Sequence, residues 1–197
     1  LELFEDASFR LGVSPYGLEE VEAAKETFLR FIDNFSRSEL VAEAWIMLGD
    51  IEASWGELDK ALDDFAKVRR HTDAMIPINY AAFRSGKIFE LEQRWDEMIA
   101  YFKDYMASFG QKGNFTEAIY WIGFAQQQKG NTEEALATYR DGVIEYGDNP
   151  ANAGIDMILR DLVEQLQHHV DSRQREDFLN DLIQRVQRAR EQKRVTL

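Results

Sequence analysis

Residues Ala42 to Phe65 read AEAWIMLGDIEASWGELDKALDDF, and this stretch decides the fold. Its first half places Ala44, Met47, Leu48 and Ile51 at steps of three and four. Its second half does the same with Leu58, Ala61, Leu62 and Phe65, continuing to Val68. That period belongs to an amphipathic α-helix, whereas a strand needs alternation by two. Between the halves stand Trp55, Gly56 and Glu57, a glycine where the first helix must stop and an acid where the next begins. One short amphipathic helix cannot bury its apolar stripe alone, but two antiparallel ones joined by such a turn can.

Outward from this stretch the same features recur at a spacing of 37. Gly12, Gly49, Gly86 and Gly123 form one ladder, and sixteen residues after each glycine comes an aromatic: Phe28, Phe65, Phe102 and Tyr139. Four residues before each aromatic stand Ala24, Ala61, Met98 and Ala135. A residue without a Cβ belongs where two helices cross closely, so the glycine is expected to admit the second helix, with the small column facing it and the aromatic filling the gap beyond. Lys129-Gly130-Asn131-Thr132 repeats the turn, and Pro77 and Pro150 fall at junctions between pairs, where proline starts a helix without losing a hydrogen bond. Ser14-Pro15-Tyr16-Gly17 interrupts the first copy, whose leading helix is expected to end near Gly12.

The pattern predicts helices at about 2 to 12, 18 to 35, 39 to 54, 57 to 71, 77 to 91, 95 to 109, 115 to 129, 132 to 146, 151 to 168 and 173 to 193. The expected fold is all-α: antiparallel helix pairs in about four 37-residue repeats over residues 1–150 (5–41, 42–78, 79–115 and 116–150). A C-terminal helical pair over 151–197 then caps the stack or opens further repeats. With three prolines and no β-branched alternating run, no sheet is expected.

Composition narrows the function. The 197 residues, 45% hydrophobic, supply a real core. Thirty-six acids against 23 Lys and Arg give a net charge of -13, a field that repels phosphate backbones and anionic headgroups, so no nucleic-acid partner is expected. Cysteine is absent, which removes disulfides, thiolate nucleophiles, zinc fingers and iron–sulfur ligation from this chain. No stretch reaches eighteen uncharged apolar residues, so no membrane insertion within it is expected. Beginning at Leu1, the chain is expected to be part of a larger protein. Charge is uneven: residues 1–170 hold 16 basic and 31 acidic side chains, net -15, and residues 171–197 hold 7 and 5, net +2. Phe178, Leu182, Val186 and Ala189 share one helical face there, as a capping helix would need.

Chemistry has little to work with. Three histidines, no phosphate-binding glycine loop and no nucleophile elbow point away from an enzyme, and no catalytic, metal or cofactor site is expected. His168 and His169, adjacent on a helix, project about 100° apart and do not converge on one metal. Of the acidic pairs Glu19-Glu20, Asp63-Asp64 and Glu133-Glu134, two fall in first turns of helices, where acids stabilise the dipole.

Ala42-Glu43-Ala44-Trp45, Leu48-Gly49, Gly56, Ala61 and Phe65 resemble the tetratricopeptide repeat signature, and Ala118, Gly123, Gly130, Ala135 and Tyr139 repeat it. The copy between is degenerate, with Gly86, Phe89 and Phe102 kept and Met98 in place of alanine. The 37-residue spacing resembles the bacterial envelope subtype, found in outer-membrane assembly lipoproteins and in the periplasmic partner of the Tol-Pal system. The resemblance implies a right-handed solenoid and a non-enzymatic protein–protein interaction scaffold that binds a partner peptide or helix in a concave groove. It also implies a periplasmic or cell-envelope location, with the cytoplasm as the alternative. Carried over by column, that groove is lined by Ile46 and Asp50, by Tyr80, Phe83, Lys87 and Leu91, and by Glu117, Tyr120, Phe124 and Gln127. The basic clamp that seizes a terminal carboxylate in chaperone-binding members is not matched, since Phe9, Val13, Ile46 and Asp50 occupy its columns. Phe83, Tyr120 and Phe124 lie opposite the glycine stripe, where either a ligand groove or burial between neighbouring pairs accounts for them. The alternative function is a structural spacer or oligomerisation arm, and self-association is left open.

Overall fold

Every apolar run within the described residues folds as a helix. The computed structural model describes residues 18–109, 112–146 and 155–195. Its helices are α1 (Leu18–Asn34), α2 (Val41–Ser54), α3 (Leu58–Val68), α4 (Met75–Leu91), α5 (Trp95–Phe109), α6 (Phe115–Gln128), α7 (Thr132–Tyr146), α8 (Ile155–His169) and α9 (Ser172–Val195). No strand occurs among the described residues. The helix expected at 2 to 12, Gly12, the Ser14–Gly17 interruption and Pro150 lie outside them.

Helix ends follow local chemistry. α4 starts at Met75, two residues ahead of the expected Pro77, which sits in the first turn, where an amide has no intrahelical acceptor to lose. α6 is capped by Asn114, whose side chain accepts from the Glu117 amide and donates back to Glu117 Oε2 at 2.9 Å. Gly56 and Gly130 take φ of 78° and 80° in the turns that close α2 and α6. The third copy of this turn has Gln93, 37 residues from each, at φ 56°, where a side chain costs about 1 kcal/mol.

The chain divides into two compact units, residues 1–92 and 93–197. In the first, α1 packs on α2, α2 and α3 form a tight pair, and α4 lies against α3 and α2. Ala24, Phe28 and Phe31 of α1 meet Val41, Ala44 and Leu48 of α2 in one buried cluster. Lys25 Nζ reaches Glu52 Oε1 at 2.8 Å and holds the two helices in register. Glu52 is buried, and its carboxylate is the first cause of a raised Lys25 pKa. In the second unit α5 packs on α6, α6 pairs with α7, α8 lies on α7 and α6, and α9 lies on α7.

The repeat columns are the interior. Ala24, Ala61, Met98 and Ala135 are all buried, as are Phe28, Phe65, Phe102 and Tyr139, none of the aromatics more than 2% exposed. The glycines act differently from the expectation: it is the aromatic ring that fills the space a side chain would take. A Cβ on Gly49 would stand 2.6 Å from Phe65 Cε1, and one on Gly123 would overlap the Tyr139 ring. The spacing therefore encodes a ring seated on a bare backbone.

Ile158, Leu162 and Leu166 of α8 and Leu182 of α9 join Ile119, Ala135, Leu136 and Tyr139 in one core, with Phe178 and Val186 packed against it. The side chain of Ala189 lies outside the described residues. At the edge of this core Tyr139 donates its hydroxyl to Asp161 Oδ2 at 3.3 Å. Burial raises the Asp161 carboxyl above the usual carboxylate range, opposed by the Tyr139 hydrogen bond, and burial together with Asp161 holds the Tyr139 phenol above its ordinary value. A carboxyl raised in the folded state favours folding while protonated. That contribution is full below about pH 4 and is lost as pH rises through the folded value. Asp161→Asn, neutral at every pH, is therefore expected to raise the melting temperature at pH 7 and to change it little at pH 3, as thermal melts at the two pH values will show.

Candidate partner-binding face

α4 carries apolar residues on two opposite faces. Ile78, Ala81, Ala82, Ser85, Gly86, Ile88 and Phe89 are buried. On the other side Ile76 is 86% exposed, Tyr80 42%, Phe83 39% and Leu91 71%, and Lys87 is exposed among them. Steps of four, three, four and four put these five residues on one narrow stripe along the helix.

Polar groups beside the stripe are bound to one another. Tyr80 donates its hydroxyl to Asp50 Oδ2 at 2.8 Å, and Arg84 Nε lies 2.8 Å from Asp50 Oδ1, so the α2 carboxylate fixes two α4 side chains. Burial, with the Asp50 hydrogen bond second, raises the Tyr80 phenol pKa. Lys87 Nζ contacts Glu90 Oε2 at 2.9 Å and sits 5.9 Å from the Phe83 ring centre. Of the remaining expected groove residues in this unit, Asp50 is half-buried, and Ile46, 7% exposed, faces the core and offers little contact area.

The expected residues of α6 belong to the second unit and have a different setting. Tyr120, Phe124 and Gln127 are half-buried. Tyr120 stacks on Phe124 with ring centres 6.0 Å apart, and Trp95 and Trp121 meet Phe124 edge-on at 5.8 and 6.1 Å. Tyr120 also packs against the core shared with α8 and α9. Gln127 Oε1 is buried with no hydrogen-bond partner among the described residues, and Glu117 is held by its cap, Asn114. Two contributors were missed from sequence. Ile76 was visible as one more step of the same stripe, whereas the tie of Arg84 to Asp50 across 34 residues left no local signal.

Of the acidic pairs, Asp64 is buried and ion-paired to Lys67 at 2.8 Å, Glu133 and Glu134 are exposed in the first turn of α7, and the side chains of Glu19 and Glu20 lie outside the described residues. His168 is exposed, and the side chain of His169 lies outside the described residues. Among the described residues no group of three His, Asp or Glu could hold a metal ion, and no helix is long and apolar enough to cross a membrane.

Tetratricopeptide-repeat models match three segments, one model at residues 6–38 and 117–146 and a second at 42–68. The matched segments carry the columns Ala24/Phe28, Gly49/Ala61/Phe65 and Gly123/Ala135/Tyr139. No curated protein matches the sequence. A solved structure that the chain resembles is that of YrrB, described as a TPR protein with an unusual peptide-binding site. The likeness is 16% identity over 77% of this chain and 81% of that one, with a TM-score of 0.44.

Proposed function

We propose, from the premise that this chain carries tetratricopeptide repeats, that it is a non-enzymatic scaffold whose α4 face receives a partner peptide or helix. The observation that carries this is the exposed stripe Ile76, Tyr80, Phe83, Lys87 and Leu91 on a helix anchored by its opposite side. Exposed apolar residues in a continuous row are costly to solvate and mark contact surfaces, and aromatic anchors carry much of the energy in such contacts. Asp50 and Arg84 hold Tyr80 and the outer surface of α4 in place, so a ligand meets a preorganised surface. On α6, Tyr120, Phe124 and Gln127 are a second candidate patch, one that also serves the core. The 37-residue repeat supports a place among cell-envelope tetratricopeptide proteins, with the cytoplasm as the alternative, and fractionation of the source cells decides between them.

The test compares Tyr80→Ala/Phe83→Ala with wild type in pull-downs from the source organism and in thermal melts. Two aromatic anchors at about 1.4 kcal/mol each imply a loss of binding of roughly a hundredfold, while the melting temperature moves by no more than a few degrees because both rings are exposed. Tyr120→Ala, by contrast, is expected to lower the melting temperature, since that ring supports the core. A double α4 variant that retains every partner transfers the argument to the spacer or oligomerisation arm.

A further inference from the structure

The α4 stripe also selects the backbone form of what it receives, an inference that rests on the α4 face being the partner site. Ile76, Tyr80, Phe83, Lys87 and Leu91 are the exposed residues of this helix, one in each turn, and they run along it for about 22 Å. From Ile76 to Lys87 the steps are four, three and four, the alternation by which two helices interlock side chain by side chain.

Hydrogen bonding separates an extended partner from a helical one. The main chain of α4 is bonded within the helix, so the stripe meets a partner with side chains alone, four of them apolar or aromatic. Its polar groups are already joined to one another: Tyr80 and Arg84 to Asp50, and Lys87 to Glu90. An extended segment spanning about 22 Å has about seven residues, and the N–H and C=O groups that it turns toward the stripe would give up water against apolar surface. A helix arrives with its main chain satisfied. The same pairings decide the charge of the contact. Arg84 balances Asp50 and Lys87 balances Glu90, so the surface asks for no net charge, and a partner charge laid against Phe83 or Leu91 would be desolvated without compensation.

We infer that the occupant is an amphipathic helix of about 15 residues whose contacting positions, three and four apart, are apolar and uncharged. The test selects random peptides of about 18 residues, displayed on phage, on the full chain with counter-selection on Tyr80→Ala/Phe83→Ala. Selected sequences should carry apolar residues at steps of three and four. A synthetic copy of the strongest should gain helical circular dichroism on binding and lose about tenfold or more in affinity when a central residue becomes proline. Its Kd should change by less than about threefold between about 50 and about 500 mM NaCl. Selected peptides that bind without gaining helix, or that tolerate the central proline, overturn the helical partner and leave the α4 site standing. A steeper salt dependence overturns the uncharged contact. A wild-type chain that sediments as a dimer, and that the double substitution makes monomeric, overturns the inference in favour of a second copy. A selection that yields no peptide able to tell wild type from the double variant removes the α4 site itself.

Discussion

Gly123→Leu lowers the melting temperature by roughly 6 to 12 °C, the effect of about 3 kcal/mol in a chain of this size. The reason is the Tyr139 ring, which occupies the space where a Cβ at Gly123 would stand and is itself completely buried. It cannot swing away, because Trp121, Ile119 and the α8 residues Ile158 and Leu162 are buried in the same unit and Tyr139 shares its core with three of them. A ring held on one side by neighbours and on the other by a helix backbone leaves overpacking as the only result of adding atoms. Even Gly123→Ala is expected to destabilise, although alanine is the better helix former by about 1 kcal/mol. Replacing Tyr139 with Leu removes the obstruction, so in that background Gly123→Ala should become neutral or stabilising. This change of sign, measured as a coupling energy by denaturant melts of the four proteins, separates a ring seated on glycine from a general intolerance of change at position 123.

Removal of residues 151–197 should make the remaining protein aggregate. Ile119, Leu136 and Tyr139 are covered by Ile158, Leu162, Leu166 and Leu182, so truncation turns one side of α6 and α7 into exposed core. Leu162→Ala is the graded version: a 2% exposed leucine in that cluster should cost about 2 to 5 kcal/mol. Light scattering and melting curves check both. A truncated chain that stays monomeric and equally stable would show that the C-terminal helices are a tail and carry no capping role.

Much of this architecture was legible because the repeat constrains residue type at buried positions. The ladder of Gly49 and Gly123 with Phe65 and Tyr139 encodes a contact between fixed positions in two helices, so it survives as a spacing in the sequence. Helix ends were legible where chemistry is local, as at Gly56 and Gly130, whose positive φ needs glycine. Gln93 escaped notice because the third copy adopts the same turn with a residue that does not advertise it. Exposure was the harder quantity. Phe83 and Tyr120, 37 residues apart, stand at equivalent places on α4 and α6, yet Phe83 is exposed and Tyr120 is half-buried, stacked on Phe124 and packed against the core. That difference arises from what packs beside each helix, and a helical period records only which face a residue is on. Likewise the Asp50 link to Tyr80 and Arg84 joins two helices through exposed and half-buried polar groups, a contact with no pattern in sequence.

Site-specific photo-cross-linking in the source cells tests the central claim most directly, with p-benzoylphenylalanine at Phe83 on the α4 stripe and, as control, at exposed Glu133 on α7. The account predicts one specific protein adduct from position 83, competed away by the unlabelled chain and not by its Tyr80→Ala/Phe83→Ala variant, and none from position 133. Equal labelling from both positions, or an adduct from 83 that the double variant competes as well as wild type does, would contradict it.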